Sequence, residues 1–104
     1  MNVQIDVSVI FVNYNTKDMT INAINSVFEK TEGVSFEVIV VDNKSSDGSL
    51  DEFRKVFGSK IKTIDAGDNL GFGRANNLGA AAACGEYLFL LNTDTLLVNN
   101  AIKI

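Results

Sequence analysis

The sequence predicts an α/β domain, a three-layer α/β/α arrangement around a mostly parallel sheet, and three observations carry that prediction. Four short apolar, largely β-branched runs alternate with three segments of helical periodicity. The runs are too apolar to leave one face wet, as expected of strands covered on both sides. Each run ends in a cluster of Asp, Asn, Ser or Gly, the residues that open turns and cap helices. With 104 residues and 46% hydrophobic content, the chain suffices for one core, so residues 1–104 are read as a single domain.

The elements follow in order. Residues 7–12 (Val-Ser-Val-Ile-Phe-Val) form the first buried strand and stop at the polar Asn13-Tyr14-Asn15-Thr16. Over residues 16–29, Ile21, Ile24, Val27 and Phe28 recur at three- and four-residue intervals, an amphipathic helix with Asn15 or Thr16 as its cap. Residues 36–41 are the second strand, halted by the turn-rich 42–48. Ser49-Leu50-Asp51-Glu52 matches a capping box, and Leu50, Phe53 and Phe57 give the second helix its apolar stripe. A short third strand spans 61–64, and a third helix of small residues spans 72–84, ended by Gly85. Residues 86–91 form the fourth strand, followed by Asn92-Thr93-Asp94-Thr95. This βαβαβαβ order implies parallel pairing through helical crossovers.

Composition excludes several classes of function. The net charge of -4 comes with no basic block, which argues against a nucleic-acid partner. There is no His, and the one Cys, Cys84, forms neither an intramolecular disulfide nor a thiolate zinc site. Any metal would be a hard cation held by oxygen. No apolar run approaches the roughly 20 residues of a membrane span, and residues 1–6 lack a basic, apolar leader pattern. The expected location is cytoplasmic.

In parallel sheets ligands bind beyond the carboxyl ends of the strands, and the polar clusters of this sequence all fall there. Asp42 and Asp94 are carboxylates at or just past strand ends, suited to Mg²⁺ or Mn²⁺ and equally to helix capping. Gly71-Phe72-Gly73-Arg74-Ala75-Asn76 approaches the dinucleotide fingerprint but has Asn76 in place of the third Gly, and it follows the third strand rather than the first. Its backbone N–H groups and the Arg74 fork suit an anion or a base carbonyl. Its glycines also suit close approach of a helix to the sheet.

Four segments taken in order and spacing carry a resemblance: 9–15 (Val-Ile-Phe-Val-Asn-Tyr-Asn), 40–49 (Val-Val-Asp-Asn-Lys-Ser-Ser-Asp-Gly-Ser), 69–79 (Asn-Leu-Gly-Phe-Gly-Arg-Ala-Asn-Asn-Leu-Gly) and 85–95 (Gly-Glu-Tyr-Leu-Phe-Leu-Leu-Asn-Thr-Asp-Thr). Together they resemble the family 2 glycosyltransferases of the GT-A fold, and Asn92 followed by Asp94-Thr95 resembles the rhamnosyl- and galactofuranosyl-transferase-like branch. The resemblance implies a UDP- or dTDP-sugar donor and a glycan or lipid-linked acceptor, with inversion at the sugar. It implies that Asn13, Tyr14 and Asn15 line the nucleotide pocket and that Asp42 hydrogen-bonds a pyrimidine base. Arg74, or its neighbours Asn69 and Gly71, would close over that base. Asn92 would face the ribose, and Asp94 would hold the divalent metal, Mg²⁺ or Mn²⁺.

The family's catalytic base and acceptor site lie further along than this sequence runs, since it stops ten residues after Asp94. The expectation is therefore a donor-binding half, inactive by itself. Its fourth strand would lack cover on one side, favouring self-association. The competing expectation is a non-catalytic nucleotide-binding or interaction module on the same fold. A phosphoacceptor receiver domain is disfavoured, because Asn13-Tyr14-Asn15 stands where its acid pair would follow the first strand.

Overall fold

The structure is a computed structural model, and it describes residues 5–93. Its elements are β1 (Ile5–Asn13), α1 (Lys17–Lys30), β2 (Phe36–Asp42), α2 (Ser49–Phe57), β3 (Lys62–Asp65), α3 (Phe72–Ala82) and β4 (Gly85–Leu91), with a 3-10 turn at Gly58–Lys60. Every element read from the sequence is present, in the expected order. The strands pair in parallel in the order β3-β2-β1-β4.

The two faces of the sheet build two cores. On one face Val7, Val9 and Phe11 of β1 and Val38 and Val40 of β2 pack against Ala23, Ile24 and Val27 of α1 and Phe53 and Phe57 of α2. On the other, Ile10, Ile39 and Val41 meet Ala75 and Ala80 of α3. The alternation of β1 thus serves both layers, as a strand buried on two sides requires. Gly79 sets the spacing of the second layer, because a Cβ there would lie 2.6 Å from Cγ2 of Ile10 and 3.3 Å from Cγ2 of Val41.

The path of the chain creates a switch point. From β1 it winds to β2 and β3 with α1 and α2 on one face, then returns through α3 on the other face to place β4 on the far side of β1. Connections therefore diverge between β1 and β4, leaving a crevice beyond their carboxyl ends. The register puts Phe11 beside Leu91 and Asn13 beside Asp42.

At the opposite end of the strands, Glu37 ties the sheet together. Its carboxylate accepts hydrogen bonds from the Ser8 hydroxyl and the Cys84 N–H, both at 2.6 Å, and pairs with Lys62 at 2.7 Å. The Ser8 hydroxyl oxygen in turn accepts the Gly85 N–H at 2.8 Å. Gly85 admits no side chain, since a Cβ would fall 2.5 Å from the Ser8 backbone nitrogen. β1, β2, β3 and the start of β4 are thereby joined by one carboxylate.

Three expectations are corrected. The strands are not uniformly buried: Tyr87, Leu88 and Leu90 of β4 are 53%, 51% and 51% exposed. α3 lies over β1 and β2, and no described helix covers the Leu88–Leu90 side of β4, although Phe89 and Leu91 join the first core. The Ser49 capping box does not form. Gly48, with φ 77°, is the N-cap of α2, and Asp47 accepts the Ser49 N–H at 3.0 Å and bonds its hydroxyl. Thr16 is the N-cap residue of α1, as expected, but its side chain makes no cap bond; the Lys17 N–H goes to the same Asp47 carboxylate at 3.2 Å. One acid therefore serves two helix N-termini, where the positive ends of both dipoles favour it. Burial pushes the Asp47 carboxyl up, but the Ser49 hydroxyl and the N–H groups of Lys17 and Ser49 outweigh it and hold it below the ordinary range.

Candidate functional site

The site begins with a buried side chain. Asn13, the last residue of β1, is fully enclosed, and its amide is completely engaged. Its Nδ2 donates to Asp42 Oδ1 at 2.8 Å and to Ser45 Oγ at 3.1 Å. Its Oδ1 accepts from the hydroxyls of Thr16 at 2.9 Å and Thr20 at 2.7 Å. Asp42, 3% exposed, accepts the Ser45 hydroxyl on Oδ1 at 2.7 Å and the Ser45 N–H on Oδ2 at 3.0 Å. A carboxylate in so dry a place is tolerable only because donors surround it.

Around this hub the two loops interlock. Asn15, in the left-handed region at φ 53°, accepts the Ser46 N–H at 2.7 Å, and its own N–H donates to Ser45 Oγ at 2.9 Å. Asn tolerates that backbone better than most residues. The Asn43 N–H donates to the Asn13 carbonyl at 2.9 Å, continuing the strand pairing by one residue.

Above the hub lies a cleft of about 360 Å³, lined by Val12, Tyr14, Thr16, Asn43, Asn69, Gly71, Phe72, Asn92 and Thr93. It sits beyond the carboxyl ends of β1 and β4. Tyr14 is 49% and Phe72 57% exposed, so each leaves aromatic surface free for a flat ligand. The remaining polar wall is amide and hydroxyl. The Thr16 and Thr93 hydroxyls lie 3.4 Å apart, linking the ends of β1 and β4. Asn43 reaches across the floor, its Nδ2 donating to the Gly71 carbonyl at 3.3 Å and its Oδ1 accepting the Leu70 N–H at 3.4 Å. α3 begins at Gly71, φ 81°, with no side chain capping it.

Of the residues selected from the sequence, Tyr14, Asn69, Gly71 and Asn92 line the cleft. Asn13 and Asp42 lie behind it, bonded to each other, and Asp42 also borders a separate hollow with Lys44, Ser45, Asp51 and Asp65. Asn15 borders a neighbouring hollow with Lys17, Asp18 and Asp47, and Arg74 lies on the outer side of α3 with Leu70, Asn77 and Leu78. Asp94 lies outside the described residues. Among the described residues no group of three or more His, Cys, Asp or Glu is gathered as a metal site. The structure adds Thr16, Asn43, Phe72 and Thr93 to the cleft. Asn43 had a legible signal: strand alternation turns residue 43 opposite to residue 42, although both side chains are buried, at 3% exposure each.

A parallel sheet with a cleft at its switch point, walled by aromatic and amide groups, is the ligand-site arrangement of an open α/β domain. The pattern of glycosyl transferase family 2 matches residues 8–103, and the chain belongs to that family. Among curated relatives it is 34% identical over 89 residues to the succinoglycan biosynthesis protein ExoO of Rhizobium meliloti, covering 86% of this chain and 25% of that protein. It is 40% identical over 91 residues to a glycosyltransferase of Nostoc, covering 85% of this chain and 28% of the relative. The chain thus spans about a quarter of the length of these relatives. The crystal structure of Staphylococcus aureus TarS with UDP-GlcNAc superposes with a TM-score of 0.80 at 28% identity, over 93% of this chain and 28% of that one. A mannosyltransferase of Pyrobaculum calidifontis, solved with GDP-Man and Mn²⁺, superposes at 0.81 with 22% identity, over 94% of this chain and 30% of that one, and shares the fold. The fold is that of the GT-A glycosyltransferases.

Proposed function

We propose that the cleft binds the nucleotide of a sugar-nucleotide donor, UDP- or dTDP-linked, and that the protein transfers the sugar to a glycan or lipid-linked acceptor with inversion. The observation that carries this reading is the placement of Tyr14, Phe72, Asn43 and Asn69 around one opening at the β1/β4 switch point. Two aromatic faces suit a base, and an amide offers the one donor and one acceptor that match half of a pyrimidine imide edge. Asn43 is therefore the base reader in this proposal, in place of Asp42. Its bonds to Leu70 and Gly71 are long and exchangeable, at 3.4 and 3.3 Å. The uncapped start of α3 offers N–H groups to the diphosphate.

Mg²⁺ or Mn²⁺ fits the oxygen chemistry of this rim, with Asp94 as the charged ligand and phosphate and water as the others. When bound, the cation would offset the charge developing on the departing nucleoside diphosphate. Asn92, in the cleft lining, supplies a neutral hydrogen-bonding group suited to ribose. TarS, similar in fold and sequence, was solved with UDP and with UDP-GlcNAc, which favours a uridine nucleotide.

Calorimetric titration with UDP, dTDP and GDP, each with and without Mn²⁺, tests the reading. Metal-dependent pyrimidine binding that weakens in Asp94→Ala is the expected result. Binding indifferent to both metal and Asp94 would favour the alternative, a non-catalytic nucleotide-binding module. We also infer that copies of this chain self-associate through the exposed Leu88 and Leu90 of β4, and that the protein acts in the cytoplasm.

A further inference from the structure

We propose that Asn13 and Asp42 are positioning residues: a buried amide–carboxylate pair that fixes the two walls of the cleft relative to each other without touching the ligand. The inference rests on the nucleotide reading for its consequence and on geometry for its content. Asn13 ends β1 and Asp42 ends β2, side by side in register, and both are at most 3% exposed. From this pair bonds run in two directions. Through Asn13 Oδ1 they hold Thr16 and Thr20, which set the entry to α1 and the turn that presents Tyr14. Through Asp42 they hold Ser45, whose hydroxyl oxygen also accepts the Asn15 N–H. Asn43 sits between, tied to the Asn13 carbonyl. Thr16 is thus held directly, and the turn carrying Tyr14 through Thr16 and Ser45, by two side chains that do not line the cleft, while Asn43 is set by the backbone of Asn13.

The donor and acceptor pattern of the pair makes the inference testable by exchange. In Asn13→Asp combined with Asp42→Asn, residue 13 would still accept from Thr16 and Thr20. Residue 42 would donate its amide N–H groups to residue 13 and to Ser45 and accept the Ser45 N–H. Every hydrogen bond of the hub has a counterpart, and one negative charge stays inside it. A carboxylate that instead contacted a base from position 42 would be lost by the exchange.

The experiment uses the 104-residue chain with Tyr87→Phe in every variant, which leaves Tyr14 as the single fluorophore among 2 Tyr and no Trp. Acrylamide quenching of Tyr14 reads the cleft wall without ligand, and UDP titration reads binding. Asn13→Ala and Asp42→Asn are each expected to change Tyr14 quenching and to weaken UDP about tenfold or more, since each strands buried partners. The exchanged double variant is expected to restore the quenching and bring affinity back to within about threefold of the parent. Thr20→Val, which removes one donor to Asn13, gives a milder effect in the same direction should a single variant fail to fold. The proposal is overturned if the double variant behaves like Asp42→Asn or does not fold. It is overturned equally if the single variants lose thermal stability while Tyr14 quenching and UDP affinity stay at parent values. If the parent chain binds no nucleotide, the functional reading fails, and Tyr14 quenching still decides the positioning role.

Discussion

Replacing Gly79 by Ala tests how α3 is seated, with Gly73 as the internal control. Both glycines lie in the same helix with ordinary helical backbone, so each substitution gains helix propensity of up to about 1 kcal/mol. They differ in what the new methyl meets. At Gly73 nothing lies within 4 Å. At Gly79 the methyl would sit 2.6 Å from Ile10 Cγ2 and 3.3 Å from Val41 Cγ2. Ordinary carbon contacts are about 3.5–4.0 Å, so the overlap with Ile10 is on the order of 1 Å. Ile10 is fully buried and β-branched, so its Cγ2 cannot swing aside. Overpacking of this kind costs about 1–3 kcal/mol, and the stiffness of Ile10 places this case in the upper half. After the propensity gain, Gly79→Ala should destabilise by about 1–2 kcal/mol, lowering Tm by roughly 5–15 °C in a domain of this size. Gly73→Ala should raise stability by about 0.5–1 kcal/mol. Urea unfolding of the two variants at equal ionic strength measures both values. If Gly79→Ala stabilises as much as Gly73→Ala does, α3 does not sit against Ile10 and the two-core account is wrong.

Asn43→Ala removes both the proposed base contact and the tie to Leu70 and Gly71, and UDP affinity should fall about tenfold while Tm changes little, by calorimetry beside a melt. The pH profile of stability should show two limbs. Burial raises the Glu37 carboxyl, but Lys62, the Ser8 hydroxyl and the Cys84 N–H hold it below its ordinary value, and Asp47 is likewise lowered. Their stabilisation is complete above about pH 5 and is lost as pH falls through the lowered values. Lys62 is raised by its bond to Glu37, so its contribution is complete up to about pH 10 and disappears as pH rises through the raised value. Glu37→Gln should therefore flatten the alkaline limb and part of the acid limb, whereas Asp47→Asn should flatten only the acid one, as read from Tm between pH 3 and pH 11. Leu88→Ser with Leu90→Ser should shift the chain toward monomer in light scattering at high concentration. An unchanged mass distribution would remove the β4 face as a contact.

What the sequence disclosed and what it withheld divide along a physical line. Strands and helices were legible because period 2 and period 3.6 are written in apolar residues that the core then demands, as at Val9 and Phe11 or at Ile24 and Val27. The rim location of the site was legible for the same reason, since strand ends are where the apolar run stops. The side-chain roles on the rim were not. Asp42 and Asn43 are adjacent, polar and both buried; alternation separates their directions, but which of them meets the cleft depends on the partner inside, and Asn13 supplies that partner to Asp42. The capping of α2 went to Asp47 because Gly48 takes φ 77°, which turns the chain so that Ser49 is already inside the helix. The bare Leu88–Leu90 side of β4 follows from the path of α3 over β1 and β2, which no local pattern within 86–91 encodes.

Among the described residues, those that line the cleft include no Asp, Glu, Lys or Arg. A nucleoside diphosphate carries its charge on the phosphates, so in the absence of a cation this wall offers it only dipoles and N–H groups. The base and ribose, by contrast, meet Tyr14, Phe72 and the amides whether or not a metal is present. Uridine and UDP should therefore bind the metal-free protein with affinities within about tenfold of each other, since neutral hydrogen bonds contribute about 0.5–1.5 kcal/mol each. Mn²⁺ should leave uridine unchanged and strengthen UDP, because only the diphosphate can ligate it. Arg74 is one cation that could upset this expectation, and its position on the outer side of α3 argues that it does not reach the phosphates. If metal-free UDP binds a hundredfold more tightly than uridine, a fixed cationic group serves the phosphates, and Arg74→Ala would show whether it is that one. If Mn²⁺ strengthens uridine as well, the cation acts on the protein rather than on the ligand, and Asp94 is not a donor-site ligand.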